Sequence, residues 1–311
     1  MKRDPIQVML ARAESYNKIT IKEFVDRSAD LFPQEKQFNG KKVLLKPNLI
    51  SARAPALACT NGQFIAAVAE WFLDNGARVT IGDSPAFGSA DSVLKRHGIV
   101  DEIAHLSLTI LPFKTVRKTS LSHGVTIGIA EEALDCDFFV NLPKIKAHNQ
   151  MYLTLAVKNL FGIVCGMRKA VAHMKNGSSH LRFGDLMLDL VELLPDTISI
   201  ADGIVAMHRE GPVSGDPLHL GCLAMSVDPV ALDTAALSLL ELEPALCPIW
   251  RAARKRKLNG SYLENIVFDL RLPSDFSGSG FVAPEVLSPV PFNPLRFISS
   301  MVKRISLKLS N

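Results

Sequence analysis

The sequence lacks the short signatures that would name its chemistry outright. No G-x-x-x-x-G-K-[ST], no G-x-G-x-x-G behind a strand and no G-x-S-x-G occurs in its 311 residues. These absences argue against a P-loop nucleotide site, a standard dinucleotide fold and an α/β-hydrolase. The five cysteines (Cys59, Cys136, Cys165, Cys222 and Cys247) are scattered without C-x-x-C or regular spacing. An odd, dispersed set suits reduced thiols in a cytoplasmic protein better than a disulfide framework. It also leaves no local four-cysteine set for an iron–sulfur cluster or a zinc ion. No uncharged apolar window of about 18 residues exists, so no segment reads as a membrane span. The opening "MKRDPIQVML" has two basic residues and a short apolar run, which reads as a first strand rather than a signal peptide. Internal repeats and low-complexity runs are missing as well.

What is present is an ordinary globular composition, 48% hydrophobic and 21% charged, long enough to bury a large core. A formal charge of +4 is too small to imply a nucleic-acid partner by itself. Strand-like and helix-like segments alternate from the start. "IQVMLA" reads as a strand. "TIKEFVDRSADLF" reads as a helix with a capping box from Thr20 to Glu23. "KKVLLKPN" and "RVTIGDSP" are strands around a helix capped near Thr60 or Asn61 and stopped at Gly76. A helix follows from Ser89 to Gly98, then strands at "VTIGIA" and "CDFFVNLP". Downstream come a helix at "LRFGDLMLDLVELL", strands at "TISIADGI" and "HLGCLAMSVD", and a helix at "PVALDTAALSLLEL".

Strands separated by helices predict an α/β fold, a mainly parallel sheet with helices on both faces. Residues 1–272 form that domain, with room for two lobes meeting near 120–136. The Pro/Ser/Gly-rich stretch 273–294 reads as a linker or arm. Beyond it, residues 295–311 space Leu295, Ile298, Val302, Ile305 and Leu309 by three and four, with Arg296, Lys303, Arg304 and Lys308 between. That pattern is a basic amphipathic helix, suited to docking on the body, on a subunit or on a membrane surface.

In a parallel sheet, ligands bind beyond the carboxyl ends of the strands. Polar residues sit there at Lys46 and Asn48, at Asp83 and Ser84, at Lys144, Lys146 and His148, at Asp202 and at Asp228. Between Phe138 and Gly184 there is no Asp or Glu, where simple proportion would place roughly four or five. The same stretch carries Lys144, Lys146, Lys158, Arg168, Lys169, Lys175 and Arg182, with His148, His173 and His180. A positive field of this kind suits a small anionic molecule, carboxylate or phosphate; a solvated basic face is the plainer alternative. Crowded lysines lower one another's pKa, which favours proton abstraction or imine chemistry. His148 fits a general acid–base role. A divalent metal on Asp202, Asp228 and Asp233 stays open beside simple capping, since Asp228 before Pro229 also reads as a helix N-cap. The basic run "RAARKRK" lacks an accompanying aromatic platform and reads as a solvated helix end rather than a nucleic-acid site.

The motifs "VLLKPN", "IGDSP", "NLPKIKAH", "AVKNLFGIVCG", "IADGIVAMHREGPVSG" and "SVDPVALDTAA" occur in an order that resembles the family called domain of unknown function 362, from about Val8 to Leu242. The resemblance implies site positions at Lys46, Asn48, Asp83, Ser84, Lys144, Lys146, His148, Lys158, Asn159, His173, Asp202 and Gly203. It implies no particular reaction. Many members carry a C-terminal ferredoxin-like cysteine module; this chain departs from that pattern, with Cys247 alone in its C-terminal region. The fold it implies is also distantly similar to the nickel-pincer lactate racemase family, which works with lysine and histidine on a 2-hydroxy acid. A likeness of fold does not transfer that chemistry. The expectation is an enzyme with a Lys/His site, or else an accessory protein of a redox or cofactor pathway held to a membrane or partner by its C-terminal helix.

Overall fold

Helical stripes and apolar strand runs alternate along the chain, and each kind finds its partner across one large sheet. The computed structural model describes residues 4–32, 38–165 and 179–289. Its strands are β1 (Ile6–Arg12), β2 (Lys42–Pro47), β3 (Arg78–Asp83), β4 (Thr109–Pro112), β5 (Val116–Leu121), β6 (Val125–Ala130), β7 (Phe138–Leu142), β8 (Lys144–His148), β9 (Tyr152–Thr154), β10 (Thr197–His208), β11 (Asp216–Ser226) and β12 (Ile266–Asp269). Strands β5 and β6 form a separate antiparallel hairpin, and Ile129 of β6 also makes an isolated bridge with Val164. The large sheet runs β12-β1-β11-β10-β7-β2-β3-β4, with β8 and β9 joined beside β10. From β10 through β4 every neighbour is parallel, as are β1 with β12 and β8 with β10. Antiparallel pairing joins β1, β11 and β10, and β8 with β9. The α/β, mainly parallel expectation holds. The inner parallel strands carry apolar residues at consecutive positions because both of their faces are covered.

The period of two decides which face each residue meets. Val43 and Leu45 enter one core with Phe64 and Phe72, while Leu44 enters the other with Phe183 and Leu232. Helices α1 (Lys18–Arg27), α2 (Gly62–Asp74), α3 (Ala90–Arg96) and α4 (Ile99–Ile103) supply the first core. The short α5 (Glu131–Leu134), α6 (Ala156–Asn159), α7 (His180–Val191), α8 (Pro229–Leu239) and α9 (Pro248–Lys255) supply the second, with the β5–β6 hairpin contributing Val125, Ile127 and Ile129.

Most caps fall where the residues place them. Asn61 accepts from Gln63 and Phe64, Ser89 closes a capping box with Ser92, and Asp228 caps α8 with Pro229 at its first position. Helix α1 differs from expectation. It begins at Lys18 because Asn17 Oδ1 accepts the Thr20 N–H at 3.2 Å, so the box from Thr20 to Glu23 does not form. The stretch after "FFVNLP" differs too. Pro143 has no N–H to pair, yet the strand does not end there: Pro143 O accepts the Asp202 N–H at 2.9 Å and the chain resumes as β8.

Residues 273–289 lie against the body. Phe276 and Phe281 are buried, Val282 O accepts from Arg209 N at 2.7 Å, and Asn149 O accepts from Ser288 N at 2.6 Å. The basic amphipathic pattern of 295–311 and the residue His173 lie outside the described residues. No helix among the described residues is long and apolar enough to cross a membrane.

Candidate functional site

Because "KIKAH" is strand, its side chains alternate. Ile145 and Ala147 enter the core shared with α6, α7 and α8. Lys144, Lys146 and His148 therefore project together from the opposite face, toward the loop before α1 and the start of α2. All three are buried, as are Lys46 at the end of β2, Asp83 at the end of β3, and Asp202 in β10. Burial of so many ionisable side chains is costly unless each finds a partner.

Two of the lysines have carboxylate partners. Lys46 Nζ lies 2.9 Å from Asp83 Oδ1 and donates to Pro47 O at 2.8 Å and Asn159 Oδ1 at 3.2 Å. Burial pulls its pKa down while the Asp83 carboxylate pushes back. Lys144 Nζ donates to Asp202 Oδ2 at 2.8 Å and to the Tyr16 hydroxyl at 2.9 Å. That hydroxyl in turn donates to Asp202 Oδ1 at 2.9 Å. Burial, then the Asp202 charge, pushes the Tyr16 phenol far above its ordinary value, so it stays protonated. The Asn61 N–H at the start of α2 completes the coordination of Asp202 Oδ2 at 3.0 Å.

Lys146 is different. Its Nζ donates to Asn48 Oδ1 and to Ala58 O at 2.6 Å, both neutral acceptors. Among the described residues no carboxylate lies within ion-pair distance of it. Burial pushes its pKa down to about 7, and the nearby Lys144, Lys158 and Lys46 charges push the same way. Cys59 could oppose them only as a thiolate, and burial pushes that thiol up, so it provides no counter-charge.

A web of amides links the two ends. Asn48 Nδ2 donates to Asn159 Oδ1 at 2.9 Å, the same oxygen that Lys46 reaches. Asn159 Nδ2 donates to Asn141 Oδ1 at 2.8 Å, and Asn141 Nδ2 donates to Ser199 Oγ and Ala156 O at 3.0 Å. Thr60 Oγ1 accepts the Asn48 N–H and donates to Leu142 O. Fixed amides of this kind hold each lysine in one place, since moving any of them orphans a buried group. Gly162 lets the pieces close up: a Cβ there would overlap the Lys46 amine and Asp83 Oδ1.

The remaining candidates lie around this core. Lys158 is half-buried over the Phe161 ring at 4.9 Å and the Phe183 ring at 5.9 Å. His148 Nδ1 accepts the Gln150 N–H at 3.1 Å, which leaves Nε2 to carry the proton of the neutral ring. Ser84 N donates to Gly162 O at 3.1 Å. Gly203 lies within the β10–β11 ladder, where a Cβ would meet Cys222 O and the Ile145 side chain.

Of the three aspartates read as metal candidates, each serves a separate partner. Asp202 holds Lys144, Asp228 caps α8, and Asp233 Oδ1 accepts the Ala156 N–H at 2.7 Å. Among the described residues no group of three His, Cys, Asp or Glu side chains could hold a metal ion. The basic run on α9 is likewise occupied in part: Arg254 stacks on Tyr262 and Trp250, and Arg256 turns inward to Asp185 and Asp189.

Residue patterns missed Tyr16, Asn61, Asn141 and Cys59. Asn141, a lone amide inside an apolar strand, carried a usable signal. Tyr16 follows the end of β1, so the strand-end rule would have found it had β1 been placed beside β11 and β10.

The domain of unknown function called DUF362 matches residues 43–238, more than half the chain. A thylakoid-associated protein of Synechocystis sp. is 37% identical over 271 residues, covering 86% of this chain and 84% of that protein. Among solved structures, the lactate racemase apoprotein from Thermoanaerobacterium thermosaccharolyticum superposes with a TM-score of 0.47 at 11% identity, over 76% of this chain and 58% of that one. A protein from Thermotoga maritima gives 0.44 at 12% identity, over 68% and 57%. This chain therefore spans less than two thirds of either solved neighbour. The buried lysines of β2 and β8 and the amides that hold them all lie within the matched span, and the chain belongs to the DUF362 family.

Proposed function

We propose that this chain is an enzyme acting on a small anionic compound, a carboxylate or a phosphate, at the carboxyl edge of the sheet. One observation carries the reading: three buried lysines, Lys46, Lys144 and Lys146, meet only two carboxylates, Asp83 and Asp202, among the described residues. An anion entering beside them would relieve the excess. Asn48, Asn159 and Ser84 would orient it, and Lys146 and His148 would exchange protons with it, with His173 a further candidate. The test is thermal. Acetate, lactate and phosphate are added one at a time, and a ligand at about a hundred times its Kd should stabilise the fold by about 2.7 kcal/mol. If no small anion moves the melting temperature, the reading fails. His148→Ala should then keep the anion shift and lose turnover of the compound that binds.

A second reading has its own support. The relative from Synechocystis is described as thylakoid-associated. The arm 273–289 ends at the same edge of the sheet, where Pro289 O accepts from Gln150 and Ser288 O pairs with His180. In this reading residues 295–311 hold an otherwise cytoplasmic protein to an anionic membrane surface, where it serves as an accessory of a redox or cofactor pathway. Sedimentation with phosphatidylglycerol vesicles, lost on truncation after Pro294, would support it; pelleting that survives truncation would overturn it.

A further inference from the structure

The kind of acceptor separates Lys146 from its neighbours. Lys46 Nζ has the Asp83 carboxylate at 2.9 Å, and Lys144 Nζ has the Asp202 carboxylate at 2.8 Å. Lys146 Nζ has two oxygens, Asn48 Oδ1 and Ala58 O, and both are neutral. An ammonium there would have only neutral oxygens to meet its charge; a neutral amine, with two donors, satisfies both and keeps its lone pair available. Among the described residues, the charges that bear most on it are Lys144 on its own strand, Lys46 on β2 and Lys158 on α6, and all of them favour the amine.

We propose that Lys146 is a nucleophilic amine that condenses with the carbonyl group of a small anionic compound to form an imine. This rests on the anion-binding reading above and names the substrate class, a carbonyl compound carrying a carboxylate or a phosphate. The Nζ lone pair forms the new N–C bond. The carbonyl oxygen leaves as water with the two amine protons, and protonation of the imine gives an iminium. The iminium carries one N–H, the proton gained from solvent in that last step, which Asn48 Oδ1 or Ala58 O can accept, so the same two oxygens that favour the amine also favour the electrophilic product. Of the two partners Asn48 is half-buried and Ala58 is fully buried. Desolvation with neighbouring cations is a known means of activating a lysine for this chemistry. The described geometry supplies both.

The experiment is reductive trapping. The intact chain is incubated with sodium cyanoborohydride and one of three probes: pyruvate, dihydroxyacetone phosphate or uncharged acetaldehyde. Hydride from the reductant converts C=N to a secondary amine, and peptide mass spectrometry locates it. The expected result is a modification at Lys146 at least tenfold above the exposed Lys18 and Lys95, rising about tenfold between pH 6 and 8 as the amine fraction grows. Pyruvate or the phosphate ester, whichever labels faster, identifies the anionic group. Labelling spread over the surface lysines with Lys146 unmodified overturns the proposal, and so does trapping that persists in Lys146→Arg. The wild-type peptide map decides the matter even if that variant fails to fold. If anions raise the melting temperature but no probe is trapped at Lys146, the imine fails and the anion reading stands. If acetaldehyde traps as well as pyruvate and no anion shifts melting, the amine chemistry stands and the anionic substrate falls.

Discussion

The lysine cluster at the sheet edge and the Arg256 cluster on the opposite face differ in which charge is in excess and in how much water reaches it. At the edge, Lys46, Lys144 and Lys146 are all but sealed, and cations outnumber carboxylates. Beside the β5–β6 hairpin, one guanidinium serves Asp185, Asp189 at 2.6 Å and Glu192 at 3.7 Å, with His123 on Asp185 at 2.6 Å. Arg256 also reaches Ser122, so it ties the hairpin turn to α7. Excess acid there is tolerated because water screens it. Excess cation in a sealed place has no such outlet, and must be met by deprotonation or by a ligand. The Arg256 cluster is a staple; the lysine cluster is the proposed site.

The largest break in this comparison comes from removing a carboxylate at the sealed end. Asp83→Ala leaves Lys46 buried with only neutral oxygens, and the expected loss is about 3–5 kcal/mol of folding stability in urea unfolding. Leu49 N also loses its acceptor at 2.9 Å. A loss below about 1 kcal/mol would mean that water reaches Lys46, and the contrast with the Arg256 cluster would collapse.

Arg256→Met should cost less, about 1–3 kcal/mol, because the orphaned acids can turn toward solvent. It should also change the acid limb of the stability curve. Burial pushes the Asp185 carboxyl up, but Arg256 and His123 outweigh it and hold the group below its ordinary value. A carboxylate depressed in the folded state adds stability above its unfolded pKa, and that stability is lost as pH falls through the folded value. In Arg256→Met that contribution shrinks, so stability should fall less steeply on acidification than in the wild type. An unchanged acid limb would show that Arg256 does not govern Asp185.

How far the residues foretold this depends on the range over which each signal acts. Alternation in "KIKAH" and the strand-end positions of Lys46 and Asp83 brought cluster members together, because sheet geometry is periodic and local; Asp202, read as following a strand, lies inside β10. The cap of Asp228 on α8 was legible for the same reason. What escaped was pairing across the sheet. The run from Phe138 to Gly184 reads as uncompensated positive charge, yet Lys144 meets Asp202, 58 positions along the chain. Tyr16 reaches that pair from a loop 128 positions before Lys144. Strand order sets such contacts, and nothing in a local window encodes that β10 lies beside β8. Lys146 differs from Lys46 and Lys144 for this reason: strand order brings a carboxylate to each of those two and not to it.

The smallest effect is therefore expected where a lysine-rich pocket would suggest the largest. Lys146→Met replaces a buried amine by an apolar chain of similar length. If Lys146 were an ion-paired ammonium, the change would strand a charge and cost several kcal/mol. As an amine it gives up two hydrogen bonds, each worth about 1 kcal/mol, while sparing the fold the cost of stripping a lysine of its proton. The unfolding free energy at pH 7 should stay within about 1 kcal/mol of wild type. The pH dependence then fixes the sign. Folding lowers the Lys146 pKa from 10.5 to about 7, so between those values the unfolded chain binds the extra proton. Stability of the wild type must rise with pH through that window relative to Lys146→Met, and level off above it. Parallel curves from pH 7 to 10 would mean that Lys146 keeps its proton, and that the sealed end of the molecule has found an anion of its own.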